Sequence, residues 1–152
     1  MTDIMCYRSE HFAGVDALWN AFPNDKAWNV AAAAIPEKTR FQPDLMLVAL
    51  EGNVVIGSVM AGYDGHRGRI SRFAVLGSHQ KNGIGQTLIA AAEERLATLG
   101  CCKVNLQVVE SNTAVVAFYE RAGYQIEPRI SISKVLRRHS KDARMSGVDA
   151  VV

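Results

Sequence analysis

The sequence predicts a mixed α+β fold, a sheet with helices on its faces. Three observations carry that prediction. Two apolar runs, Leu45–Leu50 and Val54–Met60, flank an "EGN" turn and read as an antiparallel hairpin. Downstream, a strand, a helically periodic segment and a second strand follow one another as a β-α-β crossover. Upstream, apolar residues recur at helical rather than alternating spacing. Together they give the order β-α-α-β-β-β-α-β-α-β.

Each element has its own warrant. "MCYR" is a short first strand. Phe12, Val15, Trp19 and Phe22 share one helical face, so an amphipathic helix runs from His11 to about Phe22 and stops at Pro23. A second helix, or an irregular pair, fills Lys26 to Arg40 with an interruption near Pro36. The hairpin follows, then a "DGHRG" turn and the strand "RISRFAVLG". A helix from about Gly83 to Leu99 carries the stripe Ile84, Leu88, Ala92, Leu96 and Leu99, and Gly100 is a natural C′ residue. "KVNLQVV" alternates as a strand, Ser111 or Asn112 caps a helix ending near Gly123, and "RISISKVL" is a last strand.

Composition narrows the class. With 152 residues, 49% hydrophobic and 21% charged, the chain is the size and make-up of one globular domain, expected over residues 1–136. The longest apolar run, Val30 to Ile35, is far short of the ~20 residues a bilayer requires. The N-terminus does not read as a secretion signal, so an unexported, cytoplasmic protein without membrane contact is expected. Three cysteines without a C-x-x-C pair and four scattered histidines indicate neither disulfides nor a metal site, and the histidines are expected on the surface. Residues 137–152 hold four basic and two acidic side chains, so the chain's 17 basic and 15 acidic residues balance in the rest. That neutral body lacks the field nucleic acid needs, and the tail reads as a frayed end.

The stretch "HQKNGIGQTLIAA" carries the chemistry. A glycine-bearing turn opens a helix there, exposing unpaired N–H groups and a positive dipole end to a phosphate. Spacing excludes the common nucleotide loops. Gly77 and Gly83 stand one residue too far apart for a Walker A loop, and Ile84 follows Gly83. A dinucleotide loop from Gly83 would need glycine where Leu88 stands. Glycines at 83 and 85 let a diphosphate lie close to the main chain, with N–H groups from Gln80 to Gln86 converging on it.

What fits is the acyl-CoA loop Gln/Arg-x-x-Gly-x-Gly/Ala, here Gln80-Lys81-Asn82-Gly83-Ile84-Gly85. With "ESNTAVVAFYERAGY" downstream, the chain resembles the GNAT superfamily of N-acetyltransferases over roughly residues 5–136. "GYDGHRG" at 62–68 adds a weaker likeness to a bacterial ribosomal-protein-alanine-like acetyltransferase subgroup. The resemblance implies a central, mostly antiparallel sheet of six to seven strands with helices on both faces. It implies acetyl-CoA as cosubstrate, no metal, and transfer to a primary amine by direct attack through a tetrahedral intermediate. The acceptor is a small molecule or a protein N-terminus or lysine, and the protein a monomer or homodimer.

The resemblance also implies roles. Phe73, Ala74 and Val75 would pair with the pantetheine arm. Gln80, Lys81, Asn82, Gly83, Ile84, Gly85 and Gln86 would hold the pyrophosphate, and Asn112 the arm. Arg67, Arg69, Arg72 and Lys81 neighbour the remaining phosphate in sequence, although a solvated hairpin accounts for most of them. Tyr119 matches the tyrosine that protonates the leaving thiolate; the other reading is a core aromatic beside Phe118 and Tyr124. The sequence departs from its relatives at the base. "ISRFAV" and "VNLQVV" hold no carboxylate, Gln107 stands where some relatives have glutamate, and Asp64, His66, Glu110 or water alone remain. The rival reading is a CoA-binding sensor or regulatory module that has lost turnover.

Overall fold

The computed structural model describes residues 2–22 and 29–136. The tail at 137–152 and the predicted helix start at 26–28 lie outside the described residues. The elements are β1 (Thr2–Cys6), α1 (Phe12–Asn20), α2 (Ala31–Arg40), β2 (Met46–Glu51), β3 (Val54–Tyr63), β4 (Gly68–Val75), α3 (Ile84–Thr98), β5 (Val104–Leu106) and α4 (Thr113–Arg121). The sheet order is β1-β2-β3-β4-β5; every pairing is antiparallel except β4 with β5.

Alternation along β2 builds two cores. Leu47 and Ala49 face the cluster under α3, with Leu88, Ile89, Ala92 and Leu96. Met46, Val48 and Leu50 face the cluster under α1 and α2, with Val15, Leu18, Trp19 and Ile35. Both faces of the sheet are therefore covered, and each fully buried Val, Leu or Ile contributes about 1.5–3 kcal/mol relative to exposure. The predicted stripe on α3 needs adjustment: Ile89 is 1% exposed, whereas Leu99 lies at the helix end, 52% exposed.

Four expectations are corrected. The sheet has five strands among the described residues, not six to seven. Residues 129–136, read as the last strand, form no ladder, and Ile130 and Ile132 are each 88% exposed. An alternating pattern makes a strand only where an edge accepts it. Here β5 ends at Leu106, and the contacts holding this region are side-chain bonds: Gln107 to Ser131, and Lys103 and Asn105 to Glu127. The second helix runs unbroken through Pro36 from Ala31. Proline there forfeits one bond, to the carbonyl of Ala32, and the buried Lys38 ties the helix to β3 by donating to the carbonyl of Ala61. His11, expected on the surface, is 6% exposed, and its Nδ1 accepts from the Arg8 N–H at 3.0 Å.

A bulge shapes the sheet where the site forms. Between the pairs Ser58↔Ala74 and Met60↔Ser71, β4 spends one residue more than β3. Arg72 within it takes φ +49°, the left-handed region. Parallel pairing with β5 covers only Gly68 to Ile70, so β4 continues through Val75 without a partner on that side. The two strands part there and leave a notch.

Candidate functional site

The loop after β4 is built to present donors. The Gln80 side chain donates to the Val75 carbonyl at 3.0 Å, folding the loop back onto its own strand. Lys81 and Gly83 take φ +70° and +80°, so the chain reverses sharply before α3. The first bond into the helix runs from Thr87 N–H to the Gly83 carbonyl at 3.0 Å. Among the described residues, the N–H groups of Lys81 through Gln86 find no acceptor. Donors left free at the positive end of a 15-residue helix favour negative charge beside them.

The two glycines have different reasons. A Cβ on Gly83 would meet nothing within 4 Å, so backbone conformation alone demands glycine. A Cβ on Gly85 would lie 3.0 Å from Phe73 Cζ and 3.2 Å from Phe118. Gly85 therefore lets the first turn of α3 close onto aromatic rings, which differs from the expected role of admitting a diphosphate.

Those rings line the notch from the α3 side. Phe73 stacks on Phe118 with centroids 5.2 Å apart, and Tyr119 packs against Phe73 at 5.9 Å and Tyr124 at 5.3 Å. Tyr119 is 6% exposed, and burial pushes its phenol above the ordinary value near 10. Its hydroxyl makes no hydrogen bond among the described residues, whereas Tyr124 donates to Glu93 Oε2 at 2.7 Å. Of these two tyrosines, Tyr124 has its hydroxyl proton engaged among the described residues and Tyr119 does not.

Asn112 is the N-cap of α4, and its Oδ1 accepts from the Val115 N–H at 3.3 Å. The cap occupies the oxygen and leaves the amide N–H groups free, so its two expected roles are compatible. Two of the base candidates, Asp64 and His66, lie in the turn before β4. Asp64 Oδ1 accepts from the N–H groups of His66 and Arg67 at 2.8 and 2.7 Å, and those bonds hold its carboxyl below the usual range. His66 Nε2 pairs with Arg67 Nη1 at 3.0 Å in the same turn. That turn precedes Gly68, about 16 Å of strand from Phe73 at ~3.3 Å per residue. Glu110 is exposed in the turn before α4. Gln107 Oε1 accepts from Arg69 at 2.9 Å, linking β4 to the segment after β5. Among the described residues no group of three or more His, Cys, Asp or Glu side chains is placed to hold a metal ion.

One cation goes elsewhere than its sequence position suggests. Arg72 does not join the loop: its guanidinium lies 4.2 Å from the Trp19 ring centroid, on the α1 face of the sheet. Trp19 and Ser58, which hold it there, carry no sequence signal beyond a tryptophan in a helix and a serine in an apolar strand.

Residues 13–124 match the acetyltransferase (GNAT) family. An acetyltransferase of Pectobacterium atrosepticum is 37% identical over 134 residues, 88% of this chain and 95% of that one. In structure the chain is similar to Ard1 from Thermoplasma volcanium, with a TM-score of 0.76 at 21% identity, covering 83% of this chain and 84% of that one. It is similar also to the PaiA N-acetyltransferase from Thermoplasma acidophilum in complex with coenzyme A, with a TM-score of 0.72 at 18% identity, covering 86% and 93%.

Proposed function

The chain belongs to the GNAT acetyltransferase family, and from that premise we propose that it is an N-acetyltransferase moving the acetyl group of acetyl-CoA onto a primary amine by direct attack. The observation that carries the reading is the row of unpartnered N–H groups from Lys81 to Gln86, opening beside the notch between β4 and β5. The fit to CoA rests on that row and on the open space at Gly83. The similar PaiA structure, with coenzyme A bound, supports the choice of ligand.

In this reading the backbone donors at 81–86 hold the pyrophosphate, and the free edge of β4 at Phe73–Val75 pairs with the amides of the arm. Asn112 offers its side-chain amide to the same arm. A neutral amine attacks the thioester carbonyl; the C–N bond forms, the C–S bond breaks, and the sulfur leaves as a thiolate. Tyr119 protonates that sulfur, because burial keeps its phenol protonated at neutral pH. The proton released by the amine passes to water, which returns one to the Tyr119 phenolate, since Asp64 is engaged by its own turn. An amine with a pKa near 8 needs less help than a lysine at about 10.4, which favours α-amines as acceptors.

The test is release of free thiol from acetyl-CoA with a panel of protein N-termini, lysine peptides, polyamines, aminoglycosides and amino acids. Thiol release with acetylation of one acceptor class is the expected result. CoA binding with no release across the panel would overturn it in favour of a regulatory module, the reading that the missing carboxylate favours.

A further inference from the structure

Arg72 is held by Trp19 and Ser58, yet its Nε finds no acceptor among the described residues. Trp19, 4% exposed near the end of α1, donates its indole N–H to Ser58 Oγ at 2.8 Å, which fixes the ring. Ser58, 0% exposed, donates in turn to the Arg72 carbonyl at 3.4 Å. The guanidinium lies over the ring at 4.2 Å, a cation–π contact. Its backbone carries φ +49°, a left-handed conformation that strains a non-glycine residue. Its Nε is sealed from solvent without an acceptor, and no carboxylate meets the guanidinium among the described residues. Buried donors of this kind are rare in folded proteins, because each adds a desolvation penalty. The residue as a whole is only partly buried, so an incoming group reaches the outer Nη1 and Nη2 of the guanidinium rather than Nε.

Its position says which group. Arg72 stands immediately before Phe73, where β4 leaves β5, but on the opposite face. Phe73, Phe118, Tyr119 and the donor loop belong to the α3 side, and Trp19 with Ala74 to the α1 side. Direct transfer requires both substrates in the notch at once. With the CoA arm entering from the loop, the acceptor arrives from the α1 face and meets Arg72. Neighbouring cations are engaged: Arg69 with Gln107, Arg67 with His66, Lys38 with the Ala61 carbonyl. Among the described residues the Arg72 guanidinium meets no acceptor, and one guanidinium fork matches one carboxylate.

We propose that Arg72, braced by Trp19 and Ser58, is the acceptor-specificity residue: it binds the carboxylate of an acceptor that carries the acid close to its amine, as an amino acid does. This rests on the acetyltransferase reading for the meaning of "acceptor", but the anion seat is testable without turnover.

Two measurements separate the claims. In a Trp28→Phe background Trp19 is the sole tryptophan of the sequence's two. With CoA present, N-acetylated amino acids spanning small, aliphatic and aromatic side chains are titrated against their decarboxylated counterparts, reading Trp19 fluorescence. At least one carboxylate should give a saturable change and bind at least tenfold tighter than its counterpart. Arg72→Asn, which tolerates the left-handed backbone, should weaken it at least thirtyfold, and Arg72→Lys less, with CoA affinity within twofold of the parent in both. No response to any carboxylate, or equal affinity in Arg72→Asn, overturns the proposal. In the kinetic arm, amino acids should have lower KM than the matching amines; the reverse order overturns it as well. Absence of thiol release with every amine refutes acetyl transfer, and the fluorescence result still decides the anion seat.

Discussion

Phe73 on β4 and Phe118 on α4 stack with centroids 5.2 Å apart and planes 22° from parallel, and the backbone of Gly85 closes against the pair. The contact joins the unpaired end of β4, the start of α3 and the helix that carries Tyr119. It couples the donor loop to the residue expected to act as acid.

Replacing Gly85 therefore tests packing rather than anion access. Gly85→Val places methyl groups where a Cβ alone already reaches 3.0 Å from Phe73. Overpacking of this kind costs about 1–3 kcal/mol. A lower urea midpoint with an unchanged slope, and CoA affinity at least tenfold weaker, are the expected results. Full stability and full affinity in this variant would refute the coupling.

Gly83 and Gly52 form a matched pair of probes. Both have positive φ, +80° and +62°, and a Cβ on either would meet nothing within 4 Å. Alanine at each should cost about 1–2 kcal/mol through backbone strain alone. Only Gly83→Ala should also weaken CoA binding, because Gly52 lies in the β2–β3 turn. Calorimetric titration of both variants with CoA checks this; equal affinities would remove the loop from the binding site.

Tyr119→Phe should lower turnover at least tenfold while the KM for acetyl-CoA stays within about threefold. The hydroxyl has no partner among the described residues, so thermal stability should change by less than about 0.5 kcal/mol. Pre-steady-state thiol release gives the readout. An unchanged chemical step would exclude Tyr119 as the acid.

Alkaline pH tests the same cluster. Burial raises the phenols of Tyr119 and Tyr124, and the Glu93 carboxylate raises Tyr124 further. Unfolded tyrosine ionises near pH 10, so the folded state holds more protons above that value. Stability from these two groups is present below about pH 10 and declines as pH rises above it. Tyr124→Phe should flatten that decline and, by stranding Glu93, lower stability at pH 7 by about 1–2 kcal/mol. Equilibrium unfolding from pH 7 to 11.5 measures both effects.

Much of this was legible in the chain. The apolar runs Leu45–Leu50 and Val54–Met60 around "EGN" specified the hairpin, which closes with Glu51 opposite Val54. The spacing of Ile84, Leu88, Ala92 and Leu96 specified α3, and "QKNGIG" marked its donor-rich start. The end of the chain misled: "RISISKVL" alternates as a strand should, but its pairing depends on where β5 stops, which no local pattern encodes. At Gly85 the structure adds a packing reason that the sequence does not show, because the rings it meets are distant in sequence.

Local rules acting over a few residues, periodicity, turn chemistry and loop spacing, were enough for the sequence by itself to determine the α+β class, the hairpin, the glycine-bearing start of α3 and the likeness to acetyltransferases. The tertiary structure alone decided what depends on meetings across the chain. Those are the parting of β4 from β5 at the bulge, the ring cluster around Tyr119, and the face on which Arg72 emerges. An inserted residue turns the strand's side chains to new neighbours, and its effect is set by the register with β3 rather than by the residues of β4.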